Sequence, residues 1–104
     1  MLSLAAQEIQ DVHVIELVGH LTFCDKSLSE VVQKLLSEGN RRFVLRMRML
    51  STMDAEGLGQ LVRVYNSVRR AGGTLTLSAP NQRIRTLLQI TKLDTVFPIT
   101  EDER

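Results

Sequence analysis

The sequence predicts a single α/β domain built on a mixed sheet of four or five strands, which opens with a hairpin and carries helices mainly on one face. Three observations predict this fold. Segments with alternating or β-branched residues recur between segments with apolar residues at helical spacing, and Gly or Pro marks their boundaries. The 104 residues suffice for one core. No repeat or linker divides residues 1–104, which are therefore predicted to form one domain.

The first two strands are predicted from a β-branched apolar stretch at residues 12–18 and a weaker extended segment at residues 3–9. The first of these stretches stops at Gly19. Between the two segments, Gln10 and Asp11 form a short polar turn. An opening hairpin is the simplest arrangement of these segments.

The first helix is predicted after this hairpin, where apolar residues recur at helical spacing. Ser27 and Glu30 have the spacing of a capping box, and Gly39 is placed to end the helix. The apolar stripe consists of Leu28, Val31, Val32, Leu35 and Leu36.

Alternation at residues 42–50 predicts the third strand, with one buried and one largely polar face. The buried face is predicted to hold Phe43, Leu45, Met47 and Met49, and the other face Val44, Arg46, Arg48 and Leu50. Because the second face is not apolar, the helices are expected to cover mainly one side of the sheet.

The rest of the chain repeats the helix and strand pattern. A helix is predicted at residues 55–70 with Asp54 as its N-cap, followed by a strand at residues 74–78. Asn81 can cap a third helix, and residues 96–99 can form a short edge strand in which Pro98 is tolerated.

Composition argues against several classes of function. The net charge is +1 and only 4% of residues are aromatic, which disfavours nucleic-acid binding. No nucleophile elbow or phosphate loop is present, so no catalytic residue and no cofactor are predicted. His20, Cys24 and Asp25 lack the further ligand that a recognisable metal site needs, so no metal is predicted either.

The location of the protein is predicted from its single cysteine and from its N-terminal residues. Cys24 cannot form an intrachain disulfide, and the first residues contain neither a basic leader nor a long apolar run. We therefore expect a cytoplasmic protein that does not insert directly into a membrane.

Two strand-to-helix turns are the candidate sites, because open α/β sheets bind ligands at the carboxyl ends of their strands. Gly57 and Gly59 lie in the first turn of a helix, where each Gly costs about 1 kcal/mol relative to Ala. Tight packing or close approach by a partner would explain them. Glu56 suits the positive end of the helix dipole whatever the function. The predicted partner-binding residues are His20, Leu21, Thr22, Met53, Asp54, Ala55, Glu56, Gly57, Leu58 and Gly59.

Four motifs in this order resemble the STAS domain, the fold of bacterial anti-sigma-factor antagonists. They cover nearly the whole chain: Gly-x-Leu at residues 19–21, Asp-x-x-Gly-Leu-Gly at 54–59, Gly-Gly at 72–73, and Thr-x-Leu-Asp-x-x-Phe-Pro at 91–98. The resemblance implies a regulatory protein that binds an anti-sigma factor or a kinase-like protein. It implies no enzymatic activity.

This sequence departs from the family pattern at the turn whose phosphorylation controls partner binding in the family. In the family the turn reads Asp-Ser-Ser-Gly-Leu-Gly, and a partner kinase phosphorylates a Ser or Thr there. Ala55 takes the first serine position and Glu56 the usual phosphoacceptor position. A phosphate would carry about two negative charges against one for Glu, so Glu56 can imitate it only in part. Thr22 replaces a common Asp, and Arg46 and Arg48 replace an Asp-x-Ser at a strand end, which suggests a partner surface with different charges.

Alternatives remain open within the same fold. The chain could be an accessory subunit of a transporter ATPase or of a larger signalling assembly, and genomic neighbours would distinguish these roles. A weaker alternative is nucleotide binding at the Gly19 and Asp54 turns, where helix N-termini can receive anions. Ser51 or Thr52 could replace the lost phosphoacceptor. The sequence is also compatible with a homodimer.

Overall fold

The computed structural model describes residues 2–22 and 26–101, which form a mixed five-stranded sheet with three α-helices. The strands lie in sequence order, with β1 antiparallel to β2 and every other neighbouring pair parallel. The elements are β1 (Leu2–Ile9), β2 (Val12–Leu21), α1 (Ser27–Ser37), β3 (Arg42–Met53), α2 (Ala55–Arg70), β4 (Thr74–Ser78), α3 (Gln82–Ile90), a short 3-10 helix (Leu93–Thr95) and β5 (Ile99–Thr100). The predicted mixed sheet with an opening hairpin is confirmed.

The hairpin turn consists of the two residues expected from the sequence. Gln10 and Asp11 both have positive φ values, 51° and 68°. A two-residue turn with positive φ at both positions has a backbone twist that matches the twist of the strands it joins. The register of β1 against β2 is regular through all eight residue pairs.

One side of the sheet lies in the core. Inward-facing residues of three strands, such as Ile15, Leu45 and Leu77, are fully buried. They form one apolar cluster with residues from all three helices, including Leu28, Leu61 and Leu88. Val14 and Val44, on the opposite side of β2 and β3, are not part of that cluster. The helices therefore cover mainly one face, as predicted.

The second half of β3 differs from the prediction. The strand extends to Met53, and its pairing with β2 shifts between Glu16 and Val18 and again between Gly19 and His20. Each shift places an extra residue in β3, which reverses the side toward which later residues point. The predicted orientation of Met49 and Leu50 was therefore wrong: Met49 is 54% exposed, whereas Leu50 is fully buried.

Two smaller predictions also fail. Ser27 is itself the first residue of α1, one position too far along to cap it, and the cap residue Lys26 makes no side-chain hydrogen bond. The predicted capping box is therefore not formed. The last strand is Ile99–Thr100 and not residues 96–99, because the backbone N–H groups of Val96 and Phe97 both donate to the Leu93 carbonyl of the 3-10 helix.

None of the helices within residues 2–22 and 26–101 is long and apolar enough to cross a membrane.

Candidate functional site

The candidate site lies where β2 and β3 end side by side. Leu21 and Met53 are register partners, as are His20 and Thr52. The backbone N–H of Asp54 donates to the Leu21 carbonyl at 3.2 Å. The two turns singled out in the sequence are thus held together by the backbone.

Asp54 fixes the start of α2. Its backbone is extended, and its Oδ1 accepts a hydrogen bond from the Gly57 N–H at 2.7 Å. This bond satisfies one of the free N–H groups at the helix start. The prediction of Asp54 as N-cap is confirmed.

The two glycines of the turn have different environments. A Cβ atom at Gly57 would lie 2.1 Å from the Leu21 carbonyl oxygen, a backbone atom that cannot easily move. At Gly59 the nearest atom to an added Cβ would be Nη1 of Arg63, at an ordinary contact distance of 3.5 Å. Packing therefore requires glycine at position 57 but not at position 59.

Burial divides the ten predicted partner-binding residues into two groups. Leu21, Met53, Gly57 and Leu58 are buried, so their side chains support the turn from below. The other six are exposed or partly exposed: His20, Thr22, Asp54, Ala55, Glu56 and Gly59. We refer to these six residues, the accessible part of the predicted partner-binding site, as the docking surface. Among the described residues, the Glu56 carboxylate has no hydrogen-bond or ion-pair partner.

Two side-chain contacts stabilise the docking surface. The His20 Nδ1 and Thr52 Oγ1 atoms share a hydrogen bond of 2.7 Å. Gln60 is only 7% exposed, and its Nε2 donates to the Thr22 carbonyl at 2.7 Å. Sequence reasoning missed Gln60, although its spacing of four residues from Val64, another buried residue of α2, was a signal that its side chain faces the core.

Ser51 and Thr52, the two alternative phosphoacceptors, are both strand residues of β3. The Thr52 hydroxyl is bonded to His20. Ser51 is exposed, and its carbonyl and that of Leu50 accept hydrogen bonds from Asn81 Nδ2 at 3.1 and 3.0 Å. Beyond Arg46, β3 has no register partner in β4, so Asn81 satisfies carbonyls that the sheet does not.

Arg46 and Arg48 do not belong to the docking surface. They lie inside β3 and not at its end, on the side of the sheet opposite the helices. Both contact Glu16, with Arg46 Nη1 at 3.6 Å from Oε1 and Arg48 Nε at 3.4 Å from Oε2. The expectation that they occupy a strand end was therefore wrong.

The candidate metal site falls partly outside the structure. Cys24 and Asp25 lie outside the described residues, as does Phe23 of the same turn. Within residues 2–22 and 26–101, no group of three or more His, Cys, Asp or Glu side chains is arranged to hold a metal ion.

Comparison with known proteins identifies the family. The STAS domain matches residues 3–104. A Thermotoga neapolitana protein named as a candidate anti-sigma factor antagonist is 32% identical over 69 residues, or 66% of this chain and 61% of the relative. The Anti-sigma F factor antagonist of Paenibacillus polymyxa is 26% identical over 98% of this chain and 89% of its own length.

The fold comparison agrees with this match. The crystal structure of a candidate anti-sigma factor antagonist from Thermotoga maritima superposes with a TM-score of 0.87 at 23% identity, over 95% of this chain and 86% of that one. The matched part spans about three fifths of the length of the Thermotoga relatives found by sequence. The chain belongs to the STAS-domain family.

Proposed function

We propose that this anti-sigma-factor-antagonist-like STAS protein binds an anti-sigma factor or a kinase-like protein through the docking surface. One observation carries the proposal: the exposed residues Asp54, Ala55 and Glu56 are held in one conformation by the Asp54 cap and by the backbone bond to Leu21. A surface held in this way has little conformational entropy to lose when a partner binds. One relative is named as an anti-sigma F factor antagonist and another as a candidate anti-sigma factor antagonist, which favours this class of partner.

Gly59 is a second argument for the proposal, because the packing of the fold does not require glycine at this position. The space next to it would admit a methyl group, and Ala would favour the helix by about 1 kcal/mol. Folding alone therefore gives no reason for glycine at this position. Close approach by the backbone or a side chain of a partner gives one.

Glu56 gives the docking surface a negative charge that does not depend on phosphorylation. It occupies the second position of α2, exposed and in the first turn, where its carboxylate faces the positive end of the helix dipole. The residue cannot accept a phosphoryl group as serine does. The proposed regulator is accordingly not switched by phosphorylation at this position.

Binding is tested by capture of a purified anti-sigma factor of the kinase-like class. Gly59→Arg should abolish capture, whereas Gln89→Arg, on the exposed side of α3, should leave it unchanged. Substitutions at Leu58 or Gly57 are unsuitable, because both residues are buried and would test the fold. Equal capture by native protein and Gly59→Arg would reject the docking surface.

The absent switch is tested with Glu56→Ser. Incubated with the same kinase-like protein and ATP, this variant should gain one phosphoryl group by mass spectrometry, whereas the native chain should gain none. A phosphorylated native chain, with the group on Ser51 or Thr52, would contradict the proposal and show that the acceptor has moved into β3.

A further inference from the structure

The two edges of the sheet are built very differently. The β5 edge contains only Ile99 and Thr100 and follows Pro98. The β1 edge is eight residues long and pairs with β2 without a bulge. Proteins usually protect a long edge with charge, proline, a bulge or a covering element. Residues 2–7 contain no charge and no proline, and Ala5, Ala6, Gln7, Glu8 and Ile9 are all exposed.

The hairpin determines which backbone groups of β1 face outward. Ile9 and Val12 close the two-residue turn and therefore exchange both backbone hydrogen bonds. Such pairs alternate along an antiparallel ladder, so the odd-numbered residues of β1 bond to β2. The N–H and C=O groups of the even-numbered residues point away from the sheet: Leu2, Leu4, Ala6 and Glu8.

We propose that the β1 edge binds the β1 edge of a second copy of this chain, in an antiparallel pair around a twofold axis at Ala5. This register keeps the helix-covered faces of both copies on the same side. Ala5 then faces Ala5 of the second copy, Leu4 faces Ala6, and Leu2 faces Glu8. The outward groups of the even-numbered residues meet in about eight backbone hydrogen bonds.

A second copy suits this edge because the register is self-complementary. The residues at its centre are small, and no two like charges lie opposite each other, which would be destabilising. Leu2 and Leu4 pack on the core, so the edge is already fixed in an extended conformation before association. Because the twofold axis reverses strand direction, the two docking surfaces would lie at opposite ends of the joined sheet. The proposal does not depend on the proposed partner.

The test is sedimentation equilibrium of the native chain from about 10 μM to about 1 mM, a range suited to a small interface. We expect a reversible monomer–dimer equilibrium. Ala5→Lys and Ala5→Glu should each weaken it by about fivefold or more, because like charges then meet at the axis. An equimolar mixture of the two variants should restore association by pairing opposite charges.

The matched controls are Ile90→Lys and Ile90→Glu, at a site that is 73% exposed at the end of α3. Both should associate like the native chain, and circular dichroism should show that all four variants are folded. A native chain that stays monomeric at every concentration would overturn the proposal. So would Ala5 variants that dimerise as well as the native chain, or Ile90 variants that are weakened equally.

Discussion

At each end of the sheet a glycine packs against a backbone carbonyl, but the two ends expose side chains of opposite charge. At the carboxyl end, Gly57 leaves room for the Leu21 carbonyl; at the amino end, Gly73 leaves room for the Arg41 carbonyl, 2.2 Å from where a Cβ would lie. Around these contacts, the carboxyl end exposes Asp54 and Glu56, whereas the amino end exposes the pairs Arg41–Arg42 and Arg69–Arg70. A tightly packed glycine therefore occurs at both ends of the sheet and does not by itself mark a binding site. The exposed acidic residues around Gly57 are what set the proposed docking surface apart from the opposite end.

The largest effect is expected from alanine at either packed glycine. Gly57→Ala and Gly73→Ala should each lower the free energy of unfolding by about 3 kcal/mol, since a backbone carbonyl must move in both. Urea unfolding measures both values. If Gly57→Ala left the free energy of unfolding unchanged while Gly73→Ala lowered it, close packing against a carbonyl would not explain the glycine at position 57.

A smaller effect on stability is expected from the two residues that cap helices at the carboxyl end of the sheet, Asp54 on α2 and Asn81 on α3. Asp54→Ala should cost about 1 kcal/mol, because the Gly57 N–H loses its acceptor. Asn81→Ala should cost about 2 kcal/mol, because Asn81 caps α3 and also donates to the Leu50 and Ser51 carbonyls. Thermal unfolding of both variants tests this order, and a larger loss for Asp54→Ala would contradict it.

Gly59→Ala should act in the opposite direction to Gly57→Ala. The added methyl group meets no close atom, so the free energy of unfolding should rise by up to about 1 kcal/mol. The same variant should bind the anti-sigma factor more weakly than the native chain. Isothermal calorimetry and urea unfolding on one preparation would show both changes. If the variant is stabilised but binds with native affinity, Gly59 does not contact the partner.

The smallest effect concerns the charges at the two ends of α2. Glu56 lies in its first turn and Arg70 in its last turn, so each complements the helix dipole. Glu56→Gln and Arg70→Gln should each cost roughly 0.3–1 kcal/mol at low ionic strength, and less in molar salt. Only Glu56→Gln should alter partner binding. Equal effects of both variants on binding would point to general electrostatics and not to a docking surface.

Local signals predicted most of the elements. The helix at residues 55–70 has both of its predicted ends, because its apolar stripe, its cap at Asp54 and the following glycines agree. The turn at Gln10 and Asp11 and the strand at residues 74–78 are likewise where the sequence places them.

The missed features depend on contacts between distant segments. The orientation of Met49 and Leu50 follows from how β3 pairs with β2, and alternation within β3 alone cannot show it. The different roles of Gly57 and Gly59 depend on the position of the Leu21 carbonyl, more than thirty residues away in the chain. Gln60 reaches Thr22 across a similar separation. The sequence therefore located the turn but could not divide it into supporting and accessible residues.

The contact between Tyr65 and Phe97 gives the protein a built-in optical probe. The chain has one tyrosine, no tryptophan and three weakly emitting phenylalanines, so Tyr65 dominates its ultraviolet emission. The two rings pack edge to face with their centroids 4.9 Å apart, which joins α2 to the segment before β5. Tyrosine emission therefore reports whether the C-terminal segment is docked on α2. Added tryptophan on a binding partner could be followed at longer wavelength without interference from this chain.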